Sequence, residues 1–103
     1  MKLMDEMIGK YVIIRSIHAG VFTGILAEKE GDEVVLTDCR RIWYWEGAAS
    51  LSQLAVDGIS KSTVKNCRFT KTVDSIGILG VIEIIPTTKK AEKSIRGIPV
   101  WAV

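Results

Sequence analysis

Alternating hydrophobic and polar positions divide the first half of the chain into three short β-strands. They are rich in β-branched and aromatic residues and cover residues 10–17, 21–29 and 33–37. Two turn-forming triplets, His18-Ala19-Gly20 and Glu30-Gly31-Asp32, separate them. Gly24 lies in the middle of the second strand, where the missing side chain favours a bend or a close approach of two backbones. The pattern predicts an antiparallel meander with one sharply curved strand.

The second half predicts two helices separated by further strands. Ser50 and Gln53 have capping-box spacing, and Leu51, Leu54 and Ala55 lie on one side of a helix near 50–57. Residues 67–73 alternate in strand fashion. Residues 75–85 are strongly apolar and predict a bent, well-buried strand with bulges at Gly77 and Gly80.

Pro86 ends that strand, and the following residues predict a C-terminal helix. Thr87 is placed to cap a helix near 88–96, which Gly97 and Pro99 end. The tail, residues 99–103, is apolar and is expected to dock on its own domain or on a neighbour. All these elements predict a single mainly β domain over residues 1–103, in the form of a small, strongly bent antiparallel barrel.

Composition adds an expectation about assembly and location. Hydrophobic residues make up 48% of 103 residues, which is rich for a small monomer and predicts a homo-oligomer that shares apolar surface between subunits. No apolar run approaches the roughly 18 residues of a membrane helix. The start, MKLMDEMIG, carries Asp5 and Glu6 where a secretion signal has an apolar run. We therefore expect a cytoplasmic protein with no membrane partner.

Catalytic and metal-binding residues are sparse. His18 is the only histidine, Cys39 and Cys67 are isolated thiols, and no nucleophile motif or glycine-rich phosphate loop is present. We expect a non-enzymatic protein without metal or cofactor. The formal net charge of +2 is too small to indicate general DNA or RNA binding.

The block CRRIWYW, residues 39–45, is the strongest candidate binding site. If it is extended, Cys39, Arg41, Trp43 and Trp45 share one face, and Arg40, Ile42 and Tyr44 share the other. Arginine forks suit phosphate oxygens and aromatic faces suit bases, so the block favours a nucleotide ligand. Two alternatives remain open: the aromatics pack the core with the arginines stacked on them, or the block is an oligomer interface.

Other cations are distributed in two places. Arg15 and His18 lie near the end of the first hairpin strand, where they are expected to reach a ligand at the barrel mouth. Four cations form a basic side on the last helix, for which a solvated face is the favoured interpretation: Lys89, Lys90, Lys93 and Arg96. The predicted ligand-binding residues are Arg15, His18, Arg40, Arg41, Trp43, Tyr44 and Trp45.

The first 38 residues resemble the opening of an Sm-like, SH3-type small barrel. The resemblance is carried by Gly9-Lys10, the strand YVIIR, Gly20, Gly24 with Leu26, Gly31-Asp32, and VVLTD ending at Asp38. The later segment ILGVIEI loosely resembles the second motif of that family, with Leu79 where the family has arginine. The resemblance implies the barrel topology and does not carry over that family's base-binding residues.

A second resemblance extends over nearly the whole chain. The block TDCRRIWYWEGAASLSQLAVDG, the CRF strand and IEIIPTT followed by PVW are similar to a family of small, uncharacterised phage-encoded proteins. That similarity implies the cytoplasm of an infected bacterium. The sequence thus leads to two hypotheses: a sponge that sequesters a small nucleotide, such as a cyclic nucleotide signal of bacterial defence, or a phage structural or protein-interaction module.

Overall fold

The structure is a computed structural model that describes residues 5–103, so the first four residues of the predicted domain lie outside the described part. Six strands and two α-helices are present in that part, together with short 3-10 helices at Asp5–Met7 and Val64–Asn66. The strands are β1 (Tyr11–Ser16), β2 (Gly20–Glu30), β3 (Glu33–Tyr44), β4 (Arg68–Phe69), β5 (Val73–Ile78) and β6 (Val81–Pro86). The helices are α1 (Leu51–Asp57) and α2 (Lys89–Arg96). The predicted mainly β fold with two short helices is confirmed.

The six strands form one antiparallel sheet that bends strongly but does not close. Its order is β4-β3-β2-β1-β6, and β5 pairs with another part of β3. Because β5 and β6 do not pair with each other, each has one free edge. The predicted barrel is therefore open on this side.

The two faces of the sheet bury separate hydrophobic clusters because side chains alternate along each strand. On β1, Tyr11 and Ile13 contribute to a cluster that both helices cover, through Leu54 of α1 and Ile95 of α2. Val12 and Ile14 point to the other face, where β1, β2, β3 and β5 enclose the second cluster. This second cluster fills the concave interior of the bent sheet.

A β-bulge in the pairing of β2 with β3 determines which side chains of β3 face each cluster. Thr37 pairs with Ile25 and Arg40 pairs with Thr23, so Asp38 and Cys39 together oppose the single residue Gly24. Asp38 adopts a left-handed φ of 48°, as bulge residues often do. A Cβ on Gly24 would lie 2.8 Å from the Thr37 carbonyl oxygen, so the predicted close backbone approach is observed.

Both helices begin with a side-chain cap. The Ser50 hydroxyl accepts a hydrogen bond from the backbone N–H of Gln53, and the Gln53 side chain accepts one from Ala49, which confirms the predicted start of α1. For α2 the predicted cap was one residue too early. Thr88 caps the helix by accepting from the N–H of Ala91, whereas Thr87 donates its hydroxyl proton to the Tyr11 carbonyl.

The prediction of one buried strand over 75–85 was wrong. β5 ends at Ile78 and β6 begins at Val81, with Gly80 at a left-handed φ of 67° in the turn between them. Much of both strands is exposed because each lies at a sheet edge. Neither described helix has the length and hydrophobicity needed to cross a bilayer.

Candidate functional site

The neighbouring arginines of β3 have opposite environments because they lie on opposite faces of the sheet. Arg40 is only 4% exposed and lies beneath α2 and the C-terminal segment. Its guanidinium donates to the carbonyl oxygens of Thr70 (2.9 Å), Ile95 (3.0 Å), Phe69 (3.3 Å) and Pro99 (3.3 Å). These bonds use the donors that a phosphate would need, so Arg40 is a core residue and we leave it out of the site.

Arg41 lies on the solvent-exposed side, at the end of the concave interior. Its guanidinium stacks 4.4 Å from the centroid of the Phe22 ring and donates to the Ala19 carbonyl at 2.7 Å. His18 lies in the adjacent β1–β2 turn, and both side chains line a depression of about 440 Å³ with apolar walls that include Leu79. The structure thus brings Arg41 and His18 together beside one depression.

The largest concentration of exposed aromatic surface lies further along the same face of β3. Trp43 stacks on Trp101 of the C-terminal tail, with ring centroids 5.2 Å apart and planes at 25°. The Arg68 guanidinium of β4 lies 5.1 Å from the Trp43 ring, 5.3 Å from the Trp101 ring and 6.0 Å from the Tyr44 ring. We call Trp43, Tyr44, Arg68 and Trp101 the Trp–Arg cluster.

Part of the Trp–Arg cluster remains accessible to a ligand. Trp43 is 56% exposed and Trp101 is 45% exposed. Within residues 5–103, no hydrogen bond or ion pair engages the Arg68 guanidinium, whose contacts are with aromatic faces. Its planar N–H donors are therefore free to bind an anion while the ring contacts hold the group in place.

A groove of about 520 Å³ borders the Trp–Arg cluster. It is lined by Tyr44, Arg68 and Trp101 together with Lys65 and Glu46. The Glu46 carboxylate accepts the Tyr44 hydroxyl at 2.7 Å and the Asn66 amide at 3.2 Å. The same hydrogen bond to Glu46 is the main cause that raises the pKa of Tyr44, so this phenol stays a neutral donor. The groove thus combines two cations with one carboxylate held by neighbours.

The remaining predicted residues lie outside this cluster. β3 ends at Tyr44, so Trp45 does not continue the face of Arg41 and Trp43; it packs on the helix-covered core and donates its indole N–H to the Ala48 carbonyl at 3.1 Å. Arg15 pairs with Glu83 at 3.1 Å on the exposed surface of β1 and β6. Neither residue contributes to the groove.

Sequence reasoning missed three residues of the site: Lys65, Arg68 and Trp101. The tail was expected to dock, but nothing in the sequence indicated that it would pair with β4. Trp101 donates its backbone N–H to the Phe69 carbonyl at 2.9 Å, and Val100 bridges to Phe69. This pairing brings Trp101 beside Trp43, which lies 58 positions earlier in the sequence.

The two cysteines lie in buried positions and are both free thiols. Burial raises the pKa of the Cys39 thiol to about 12, which opposes formation of a reactive thiolate. In the part of the chain that is described, no group of three or more His, Cys, Asp or Glu side chains is arranged to hold a metal ion.

One protein family matches the sequence. Its description is "Domain of unknown function (DUF6948)", and its profile covers residues 9–95, which include Trp43, Lys65 and Arg68 but not Trp101. No curated protein matches the chain, and no solved structure matches it. Because the profile covers most of the sequence, the chain belongs to the DUF6948 family.

Proposed function

We propose that this protein is a non-enzymatic binding module that captures a phosphate-bearing nucleotide at the Trp–Arg cluster and releases it unchanged. One observation carries the proposal. Arg68 lies against exposed aromatic rings, and its N–H donors have no protein acceptor among residues 5–103. An arginine fork beside a stacking surface is complementary to a phosphate attached to a base.

We infer the orientation of the nucleotide from the ring contacts. Trp43 and Trp101 already stack on each other, so a base would stack on the outer face of this pair rather than between the rings. The phosphate would then reach Arg68 and Lys65, the two cations of the groove. The carboxylate of Glu46 opposes an anion there, which favours a phosphate position on the Arg68 side.

We further propose that the ligand is a signalling nucleotide of bacterial defence, such as a cyclic nucleotide, and that the protein acts as a sponge. The similarity of nearly the whole chain to small phage-encoded proteins supports this setting in the infected host cytoplasm. A sponge requires tight capture without chemistry. The dispersed acids, single histidine and buried thiols fit that requirement.

Calorimetry against mono-, di- and cyclic dinucleotides tests the proposal. Arg68→Ala and Trp101→Leu are each expected to weaken binding by about tenfold or more, since charge-assisted bonds and base stacking are each worth about 1–3 kcal/mol. Arg15→Ala is the matched control because it also removes an exposed arginine, but on β1 and away from the groove. Its affinity should equal that of the unmodified protein.

Three outcomes would overturn the proposal. If no nucleotide of the panel binds, capture at this site is wrong. If Arg68→Ala and Arg15→Ala weaken binding equally, the effect is one of total charge. If chromatography recovers a cleaved nucleotide, the protein is an enzyme. Native mass spectrometry of protein purified from cells with active nucleotide signalling tests sequestration directly, because a sponge should retain the mass of its ligand.

A second candidate is a protein-interaction module, either phage-structural or homo-oligomeric. Its support is the open side of the sheet, where β5 and β6 each have a free edge. The turns at this side meet, with the Ile17 N–H donating to the Gly80 carbonyl at 2.9 Å, and they carry the exposed side chains of Ile17 and Leu79. Exposed apolar side chains beside unpaired strand edges favour association.

Light scattering distinguishes this candidate. A homo-oligomer should give a mass above that of one 11.4 kDa chain, and Leu79→Lys should lower it while leaving nucleotide binding intact. A monomer at a concentration of tens of micromolar, about where weak interfaces dissociate, would exclude homo-oligomerisation through this edge.

A further inference from the structure

A second groove lies between the two helices, and three lysines line it. It has a volume of about 670 Å³, is formed by the end of α1, the connection after it and one side of α2, and carries Lys61, Lys90 and Lys93. All three side chains are exposed. We call this feature the lysine groove. It is distinct from the groove at the Trp–Arg cluster.

The cations of the lysine groove are only partly balanced by acids. Lys90 lies 3.9 Å from Asp57, and both side chains are largely exposed, so this pair is weak. In the described residues, neither Lys61 nor Lys93 is within ion-pair distance of a carboxylate. Lys90 and one further lysine, Lys89, begin α2, where the positive end of the helix dipole disfavours them. An anion in the groove would relieve this repulsion.

The two grooves are neighbours because a single short segment borders both. Lys61 and Val64 line the lysine groove, while Lys65 and Asn66 line the groove of the Trp–Arg cluster. The segment contains the 3-10 helix Val64–Asn66, so its cations are close together along the chain. We call Arg68 and Lys65 of one groove, with Lys61 and Lys93 of the other, the basic path.

Some acidic side chains lie away from both grooves. Glu28, Glu30 and Glu33 line a separate depression at the β2–β3 turn. The net charge of +2 therefore understates the local charge of the two grooves, where the four cations of the basic path outnumber Glu46 and Asp57. A small net charge does not exclude a phosphate-tracking surface when the charges are segregated in this way.

From these features we propose that, besides a single nucleotide, this protein binds a single-stranded oligonucleotide, which uses the Trp–Arg cluster and the lysine groove together. This inference rests on the proposed function. Bases stack on the outer faces of Trp43 and Trp101, and the phosphates follow Arg68 and Lys65 past Lys61 into the lysine groove. A mononucleotide has no second phosphate group far enough from its base to use that groove, whereas each added nucleotide extends the contact with it.

Fluorescence anisotropy with labelled single strands of two, four, six and ten nucleotides tests this inference. Affinity should rise with strand length and then level off, because small OB-fold domains that bind single strands contact about 4–16 nucleotides. The ten-nucleotide strand should bind at least about tenfold more tightly than the dinucleotide. The double variant Lys61→Ala, Lys93→Ala should lose most of this gain and still bind the dinucleotide. Its plot of log affinity against log salt concentration should be less steep by about 1.4, because two phosphate contacts are lost and each contact of a single strand contributes about 0.7 to the slope.

The matched control removes two lysines outside the path. Lys10 precedes β1, and Lys29 lies among the acids of the β2–β3 turn. The double variant Lys10→Ala, Lys29→Ala should bind every strand as the unmodified protein does. Circular dichroism verifies that both double variants are folded, which is expected because none of the four side chains that they change is buried.

The outcomes separate the inference from the proposed function. If all strands bind equally and Trp101→Leu weakens each of them, nucleotide capture stands and the oligonucleotide inference is wrong. If neither short nor long strands bind, both are wrong. Equal losses in the two lysine double variants would refute the basic path. Equal binding of a blunt duplex would refute base stacking on the Trp–Arg cluster.

Discussion

Replacement of Arg40 by alanine should destabilise the fold strongly, whereas the same change at Arg41 should be mild. Arg40 is buried and donates to four carbonyl oxygens. Arg41 is exposed, with one bond to the Ala19 carbonyl and a stacking contact with Phe22. The two residues are adjacent in sequence and identical in chemistry, so each is the control for the other.

The loss of stability in Arg40→Ala depends on which of the four carbonyl oxygens keep another hydrogen-bond donor. The Phe69 carbonyl also accepts from the Trp101 N–H, and the Ile95 carbonyl also accepts from the Ile98 N–H. The carbonyls of Thr70 and Pro99 have no other hydrogen bond within the described chain. Two unpaired acceptors at about 1–3 kcal/mol each, with lost packing against Phe69, predict a loss of about 3–5 kcal/mol in the free energy of unfolding.

Urea denaturation followed by circular dichroism measures this loss, with the midpoints compared at a common slope. Arg41→Ala should cost no more than about 1 kcal/mol, the value of an exposed cation–π contact. A typical domain has a stability of about 5–15 kcal/mol, so Arg40→Ala removes a large share of it. Arg40→Lys is therefore a milder variant for the same measurement, because it keeps the charge and loses only the planar fork. If Arg40→Ala costs less than about 1 kcal/mol, the assignment of Arg40 to the core is wrong.

Three further predictions concern the bulge and the thiols. Gly24→Ala should lower the free energy of unfolding by about 1–3 kcal/mol in urea denaturation, because its Cβ would meet backbone atoms of β3. Gly77→Ala is the control: its Cβ has open space, and the free energy of unfolding should change by less than about 1 kcal/mol. Equal effects of the two substitutions would contradict the close approach of β2 and β3 at Gly24. Burial raises the pKa of Cys39 from 9.0 to about 12, so the folded state keeps its proton longer than the unfolded chain. The stability that this contributes is fully present below about pH 8.5 and is lost as the pH rises toward 12, at up to about 1.4 kcal/mol per pH unit; Cys39→Ala should remove this part of the slope, and an unchanged slope would refute the assignment. Reductant or chelator should shift the melting temperature by less than about 1 °C, since both thiols are free and buried, and a larger fall would reveal a disulfide or metal that stabilises the fold.

Local chemistry was sufficient to predict most of the elements. The turn triplets and β-branched runs predicted β1 to β3, and the Ser50–Gln53 spacing predicted the start of α1, because these signals act within a few residues. Where two local signals competed, the prediction failed. Thr87 and Thr88 are both suitable caps, and the choice between them depends on a hydrogen bond of Thr87 to the distant Tyr11 carbonyl.

The composition of residues 39–45 singled out this part of β3, but it did not predict which of its side chains are buried and which are exposed. Alternation placed Arg41 with Trp43 and Arg40 with Ile42, as the structure has them. It could not indicate which of these two faces is buried. The bulge at Asp38 opposite Gly24 decides this, because one extra residue reverses the side to which every later side chain points.

By itself, the sequence determined the mainly β class, the two short helices with the cap of α1, and the placing of Arg41 with Trp43 and of Arg40 with Ile42 on the faces of β3. Those features depend on interactions between near neighbours and on the periodicity of the backbone. The tertiary structure decided that Arg40 is a core residue, that Trp101 and Arg68 join Trp43, and that the lysines of α2 face Lys61. These contacts bring together residues remote in sequence, and no local pattern specifies which distant partner the folded backbone will place beside a side chain.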